Sequence, residues 1–142
     1  MRINRKITTS VGIAMLAFTL SACGILEKQN AKAKAQEIPG AAGTWCKMQA
    51  AYIVETGKIG SFEQIGYQAP GGSLFKYGQK IENGIAGWLA ESTEKLAECP
   101  AGSQWIVLMK AKKEKPNYDI EVFLPNDKNC QELTPSFGNS CK

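Results

Sequence analysis

Apolar residues after position 43 recur at helical spacing. Trp45, Met48 and Tyr52 lie three or four residues apart, which predicts one broad apolar face on a helix over residues 44–56. The threonine that opens this segment is a good helix cap, and Gly57 after it suits the left-handed conformation in which helices often end. We expect the apolar face to pack into a core.

Strand patterns follow a glycine-rich loop at residues 57–73. Two strand-like runs, residues 74–82 and 85–91, flank Asn83-Gly84, a strong hairpin signal because both residues tolerate positive φ. Residues 104–112 form a very apolar run, and residues 118–124 alternate between apolar and polar side chains. The predicted fold class is α+β, with one N-terminal helix packed on a four-stranded, largely antiparallel sheet. The tail at residues 125–142 is polar and turn-rich.

The first 23 residues have the organisation of an export signal. Positive residues at 2, 5 and 6 precede an apolar run over residues 11–20, which is too short to span a bilayer stably. The sequence Leu20-Ser21-Ala22-Cys23 then resembles the lipobox of bacterial lipoproteins. The resemblance implies that a diacylglycerol is attached to Cys23, that the signal peptide 1–22 is removed, and that the new amino terminus is acylated, for example with palmitate.

This processing divides the chain into three parts. Residues 1–22 are the signal peptide, residues 23–43 the lipidated N-terminus and a flexible tether, and residues 44–142 the globular domain. The tether is expected because small and charged residues dominate it and Pro39-Gly40 interrupts any helix. Gly24 follows the lipidated cysteine where an aspartate would signal retention in the inner membrane, so the outer membrane is the expected location.

The charge balance argues against nucleic acid as a partner. Three of the 17 Lys and Arg residues leave with the signal peptide while all 13 Asp and Glu residues remain, which leaves a net side-chain charge of +1. A nearly neutral domain lacks the electrostatic attraction that phosphate backbones require.

Four cysteines remain after Cys23, and an even count in an exported protein predicts two disulfides. The last hairpin turns near residues 114–115, so paired residues should have indices that sum to about 229, as Cys99 and Cys130 do. This pairing leaves Cys46 with Cys141. The rival pattern, Cys46–Cys99 with Cys130–Cys141, closes a short terminal loop and remains open. A zinc site is not expected because the chain has no histidine and no Cys-x-x-Cys.

The order of elements is similar to the globular head of type IV pilins and pseudopilins. The resemblance covers about residues 44–138, and the motifs that carry it are Gln49–Lys58, Gly60-Ser61-Phe62, Ile65-Gly66-Tyr67, Phe75-Lys76-Tyr77, Ala97–Trp105 and Cys130–Phe137. The resemblance implies a pilin-like head with a disulfide-closed tail. The prepilin-peptidase site and apolar helix half that pilins use in filaments are replaced here by a lipid anchor and a tether.

Catalysis is not expected. The absence of histidine removes the usual general base and the Ser-His-Asp and Cys-His arrangements, and oxidised cysteines offer no thiolate. The nearby carboxylates Glu91, Glu94 and Glu98 fall in a polar connection that is expected to be solvated, which does not favour a paired-carboxylate active site. No cofactor or metal is implied.

The expected function is therefore that of a membrane-anchored binding or assembly module, associated with type IV pili or secretion, or with adhesion. Candidate contacts are exposed aromatics, namely Tyr67, Tyr77, Trp88 and Phe123. Trp45 and Trp105 are expected in the core, whereas the pattern fits Trp88 equally well in the core and on the surface. Candidate partners are the membrane through the anchor, a pilus or secretion component, a surface polysaccharide, or another copy of the chain. The alternatives are a purely structural envelope lipoprotein and a carbohydrate-binding adhesin unrelated to pili.

Overall fold

A computed structural model of the protein describes residues 24–72, 74–114 and 117–142. The signal segment and Cys23 lie outside the described residues. Within them the fold is α+β, with helical segments followed by an antiparallel sheet of four strands in the order β1-β2-β3-β4. This confirms the fold class expected from the sequence.

The N-terminal helix is much longer than expected. Residues 24–35 form a first segment, α1, and after one turn residue at Gln36 the second segment, α2, runs over Glu37–Thr56. The flexible tether and the helix start at Thr44 were therefore wrong predictions. Pro39 does not break α2 because it lies in the first turn, where its missing N–H has no intrahelical acceptor. Thr44 is inside the helix, and its hydroxyl donates to the carbonyl of Gly40 at 3.0 Å.

Mostly small side chains pack the first half of this helix against the rest of the domain. Ala31, Ala35, Ile38 and Ala42 are all buried at alternating spacings of four and three residues. That spacing places them on one helix face, which continues through Trp45 into the predicted segment. Alanines let the helix approach its neighbours closely, so a segment with little hydrophobicity still contributes to the core.

Gly57 ends α2 as predicted, with φ of 72° and its N–H bonded to the carbonyl of Ile53. The glycine-rich segment after it contains a short helix, α3 (Phe62–Ile65), that the sequence did not predict. Gln49 holds the start of this segment, since its side-chain amide exchanges two hydrogen bonds of 2.8 Å with the backbone of Gly60. Gln49 is completely buried, so these bonds satisfy groups that water cannot reach.

The strands are close to their predicted positions, at β1 (Phe75–Glu82), β2 (Ile85–Ser92), β3 (Gln104–Ala111) and β4 (Tyr118–Phe123). Asn83 and Gly84 turn the first hairpin with φ of 50° and 76°, the geometry that two-residue loops favour. Trp105 is fully buried, like Trp45 at 1% exposure, which confirms both as core residues. The Trp105 ring N–H donates to Thr134 Oγ1 at 2.9 Å, which fixes the tail against the sheet.

Both predicted disulfides are present. The index sum of the β3–β4 pairing is indeed 229, as in the pair Ile106 and Phe123. Cys99 and Cys130 are bonded with Cα atoms 4.8 Å apart, and Cys46 is bonded to Cys141. The rival pairing is excluded.

The tail is more ordered than a polar, turn-rich segment suggests. It contains α4 (Lys128–Leu133), capped by the Asp127 side chain, and a 3-10 turn over Phe137–Asn139. Leu133 and Phe137 are buried, at 2% and 0% exposure, so the tail adds apolar side chains to the core.

Candidate functional site

Two of the four predicted aromatic contacts belong to the core. Trp88 is fully buried and Tyr67 is 4% exposed. The ring N–H of Trp88 donates to the Tyr67 hydroxyl at 3.0 Å, and that hydroxyl donates to the carbonyl of Ala41 at 3.2 Å. Burial raises the pKa of Tyr67, so the hydroxyl stays neutral and keeps this chain of hydrogen bonds between sheet and helix. The assignment of Tyr67 as an exposed contact was wrong, and of the two positions open for Trp88 the structure has the one in the core.

Tyr77 is half-buried on the inward face of β1. Its hydroxyl donates to the Glu37 carboxylate at 2.7 Å, and its ring centroid lies 5.7 Å from that of Trp88. Burial, followed by this hydrogen bond to Glu37, raises the pKa of Tyr77 strongly. Tyr77 therefore ties the start of α2 to the edge of the sheet and offers only part of its ring to a partner.

Phe123 is the one predicted contact that is well exposed, at 46%. It lies on the outward face of β4, the face turned away from the helix, whereas Tyr77 lies on the inward face of β1. The structure does not bring the four aromatics together into one site.

Apolar side chains on the outward face accompany Phe123, and the sequence analysis did not identify them. The pairing register places Leu89 opposite Ile106 and Ile106 opposite Phe123, with Leu108 in the adjacent row. The three aliphatic residues are partly exposed. The continuous apolar run of β3 could have indicated them. A strand with one solvent-exposed face normally alternates apolar and polar residues, so an unbroken apolar run places apolar side chains on both faces.

The start of α1 packs against two other parts of the domain. Gly24 and Lys28 line a cavity of about 180 Å³ together with Leu96 and Leu133. Lys28 forms an ion pair of 2.8 Å with Glu132 on α4, and this lysine lowers the pKa of the Glu132 carboxyl. Residue 24, directly after Cys23, is thus helical and lines this cavity.

Two large apolar side chains are exposed at the beginning of the described part of α1. Ile25 is 58% exposed and Leu26 is 56% exposed. They are separated from Cys23 by a single glycine. The lipid-bearing position and an apolar surface are therefore adjacent in the chain.

The described residues contain neither a cluster of metal ligands nor a free thiol. In residues 24–72, 74–114 and 117–142 no three Cys, Asp or Glu side chains are grouped so that they could hold a metal ion. All four cysteines of this part of the chain are in disulfides and carry no thiol.

Comparisons of the chain with protein-family models, with curated proteins and with solved structures found no match. Among the helices in the described part of the chain, none has the length and apolar character to cross a bilayer.

Proposed function

We propose that this protein is an exported bacterial lipoprotein whose folded domain is a non-catalytic binding and assembly module on a membrane surface. The observation that carries the proposal is the sequence Leu20-Ser21-Ala22-Cys23 placed directly before a packed helix. An acylated Cys23 would hold that helix, and the domain with it, on the membrane. Gly24 after the cysteine favours the outer membrane where a cell has two.

The packing of α1 supports a domain that lies close to the membrane surface rather than one held at a distance by a long tether. A flexible linker of 20 residues would allow the domain to move about 25 Å from its anchor. Because α1 is helical over residues 24–35 and is held to the domain by the Lys28–Glu132 ion pair and by buried Ala31 and Ala35, that freedom is lost. Ile25 and Leu26 then face the acyl region beside the anchor, where apolar side chains bind membranes favourably.

The architecture supports a pilin-like assembly role. A long helix packed on a four-stranded antiparallel sheet, with a disulfide-bonded tail, is the arrangement that the resemblance to type IV pilin heads implies. The chain has no histidine, and the described residues hold no free thiol, which supports binding rather than catalysis. The partner is then a pilus or secretion component in the same envelope.

Cys23→Ala tests the anchor. The variant should leave the membrane fraction, and metabolic labelling with a palmitate analogue should be lost, while the wild type remains labelled and sediments with membranes. Ser21→Ala serves as a matched control because a small residue is kept at that position. Labelling of the Cys23→Ala variant, or an unlabelled wild type, contradicts the proposal.

The assembly role needs a separate experiment. Affinity capture of the wild-type protein from detergent-solubilised membranes should recover a component of a pilus or secretion apparatus, and capture with Cys23→Ala should not. Retention on an insoluble polysaccharide would favour adhesion instead. Recovery of neither partner would support the purely structural alternative.

A further inference from the structure

The outward face of the sheet is self-complementary. Its central row runs across the four strands as Gly78, Leu89, Ile106 and Phe123, and the adjacent row runs as Lys80, Gly87, Leu108 and Glu121. We propose that this face binds the same face of a second copy of the protein, about a two-fold axis parallel to the strands.

Such an axis exchanges the two edges of the sheet, and each row keeps its position along the strand direction. Each row therefore faces the same row of the partner. It places β1 over the partner's β4 and β2 over the partner's β3. Leu89 then faces the partner's Ile106, which forms the apolar centre of the contact. Twisted sheets stacked in this way are rotated by about 30°, so the two faces stay in register near the centre.

Size complementarity is the first argument for this axis. Phe123 projects from one edge with 46% of its surface exposed. Gly78 occupies the opposite edge of the same row, and a Cβ atom added there would meet nothing within 4 Å. The axis therefore places the exposed ring of Phe123 over the notch at the partner's Gly78, once on each side of the interface.

Charge complementarity is the second argument. Lys80 lies on the β1 edge with 80% of its side chain exposed, and Glu121 is exposed on the β4 edge of the same row. The axis places Lys80 next to the partner's Glu121, and because of the symmetry this pair forms twice in the interface. The axis also brings Glu82 near the partner's Asp119. Asp119 is paired with Lys112 of its own chain at 2.8 Å, and Glu82 is paired with Lys80 at 2.7 Å, so Lys80 would lie between Glu82 and the partner's Glu121.

The position of the anchor agrees with the same axis. The start of α1 lines a cavity with Leu96, in the connection that follows β2, so it lies at one end of the strands. A two-fold axis along the strands leaves both α1 starts at the same end. Two copies lipidated at Cys23 can thus bind while anchored in one membrane, a point that depends on the proposed function, whereas the interface does not.

The size of the face predicts a weak dimer. Four strands spaced by about 4.8 Å, with about eight residues that rise about 3.3 Å each, cover roughly 500 Å² per copy. The total of roughly 1,000 Å² is at the lower limit for a specific interface, so we expect a weak, transient dimer. Confinement to a membrane surface would raise the effective concentration and favour pairing.

A charge-swap experiment tests the interface. The association constant of the full processed protein is measured by sedimentation equilibrium in density-matched detergent. Lys80→Glu and Glu121→Lys should each weaken association by about tenfold or more, because each places like charges together twice. The double variant should recover affinity to within about threefold of the wild type. Lys34→Glu and Glu55→Lys, which make the same charge changes on exposed helix positions, should leave it unchanged.

Gly78→Val separates association from folding. A β-branched residue in open space on a strand should raise the midpoint of thermal unfolding, yet it fills the notch and should weaken association by about tenfold or more. A monomeric wild type at all accessible concentrations, swaps that behave like their controls, or a double variant that is not rescued would each overturn the proposal. None of these results bears on the lipid anchor, which is tested by labelling.

Discussion

Replacing Ile38 by alanine tests whether the segment before residue 44 belongs to the core. Ile38 is completely buried, and its neighbours on the same helix face, Ala35 and Ala42, are also completely buried. Because both neighbours are alanines, neither has a side chain long enough to move into the space of the lost atoms. We therefore expect the variant to lose about 3–4 kcal/mol of unfolding free energy, within the range of about 2–5 kcal/mol for such substitutions.

Urea unfolding followed by tryptophan fluorescence measures this loss. All three tryptophans are buried, so their emission reports on the packed state. With a slope of about 2 kcal/mol per M, the midpoint should fall by about 1.5–2 M. Val54→Ala is the matched control, because Val54 lies on the same helix with 51% of its surface exposed and should change stability by less than about 0.5 kcal/mol. A midpoint for Ile38→Ala equal to that of the control would refute the packed helix.

Three further predictions concern the domain. Replacing Cys46 and Cys141 together by serine opens a loop with a sequence separation of 95 and should lower the free energy of unfolding by about 4–5 kcal/mol, measured by urea unfolding. Opening the Cys99–Cys130 disulfide, with a separation of 31, should cost about 1 kcal/mol less. Gln49→Ala leaves two buried backbone groups without partners and should cost about 2–4 kcal/mol, whereas an equal stability for the variant and wild type would argue against these bonds. The raised pKa of Tyr77 makes the free energy of unfolding depend on pH. The hydroxyl contributes fully to stability below pH 10. Above pH 10 the unfolded state releases the proton while the folded state keeps it, so this contribution falls as pH rises. Tyr77→Phe should flatten this alkaline decline, and a decline identical to wild type would contradict the hydrogen bond to Glu37.

The first and last hairpins of the sheet could be predicted from the sequence because their turns are well marked. Asn83-Gly84 determined the register of the first hairpin, and the turn near residues 114–115 determined that of the last. The same register led to the pairing of Cys99 with Cys130, although both cysteines lie outside the strands.

The orientation of Trp88 could not be predicted in this way. It depends on the register between β2 and β3, and the connection between these strands runs from residue 93 to 103 with no tight turn to fix it. The structure pairs Trp88 with Val107, which shares the buried face with Val122 of β4. A central strand covered by a helix therefore buried a tryptophan whose position, in the core or on the surface, the sequence pattern left open.

The extent of the helix was missed for two physical reasons. Its buried positions before residue 44 are mostly alanines, whose contribution lies in close approach rather than in apolar area, so they give a weak hydrophobic period. Pro39 was interpreted as a break, but in the first turn of α2 a proline is compatible with the helix. The anchor signal before it lies outside the described residues and remains a prediction from the sequence.

The intact mass of the protein extracted from membranes tests the central claim most directly. The account predicts a chain that begins at Cys23 and carries the mass of a diacylglycerol and an amide-linked acyl group, with fragment ions that locate both on this residue. A mass that includes residues 1–22, or a chain that begins at Cys23 without lipid, would contradict it.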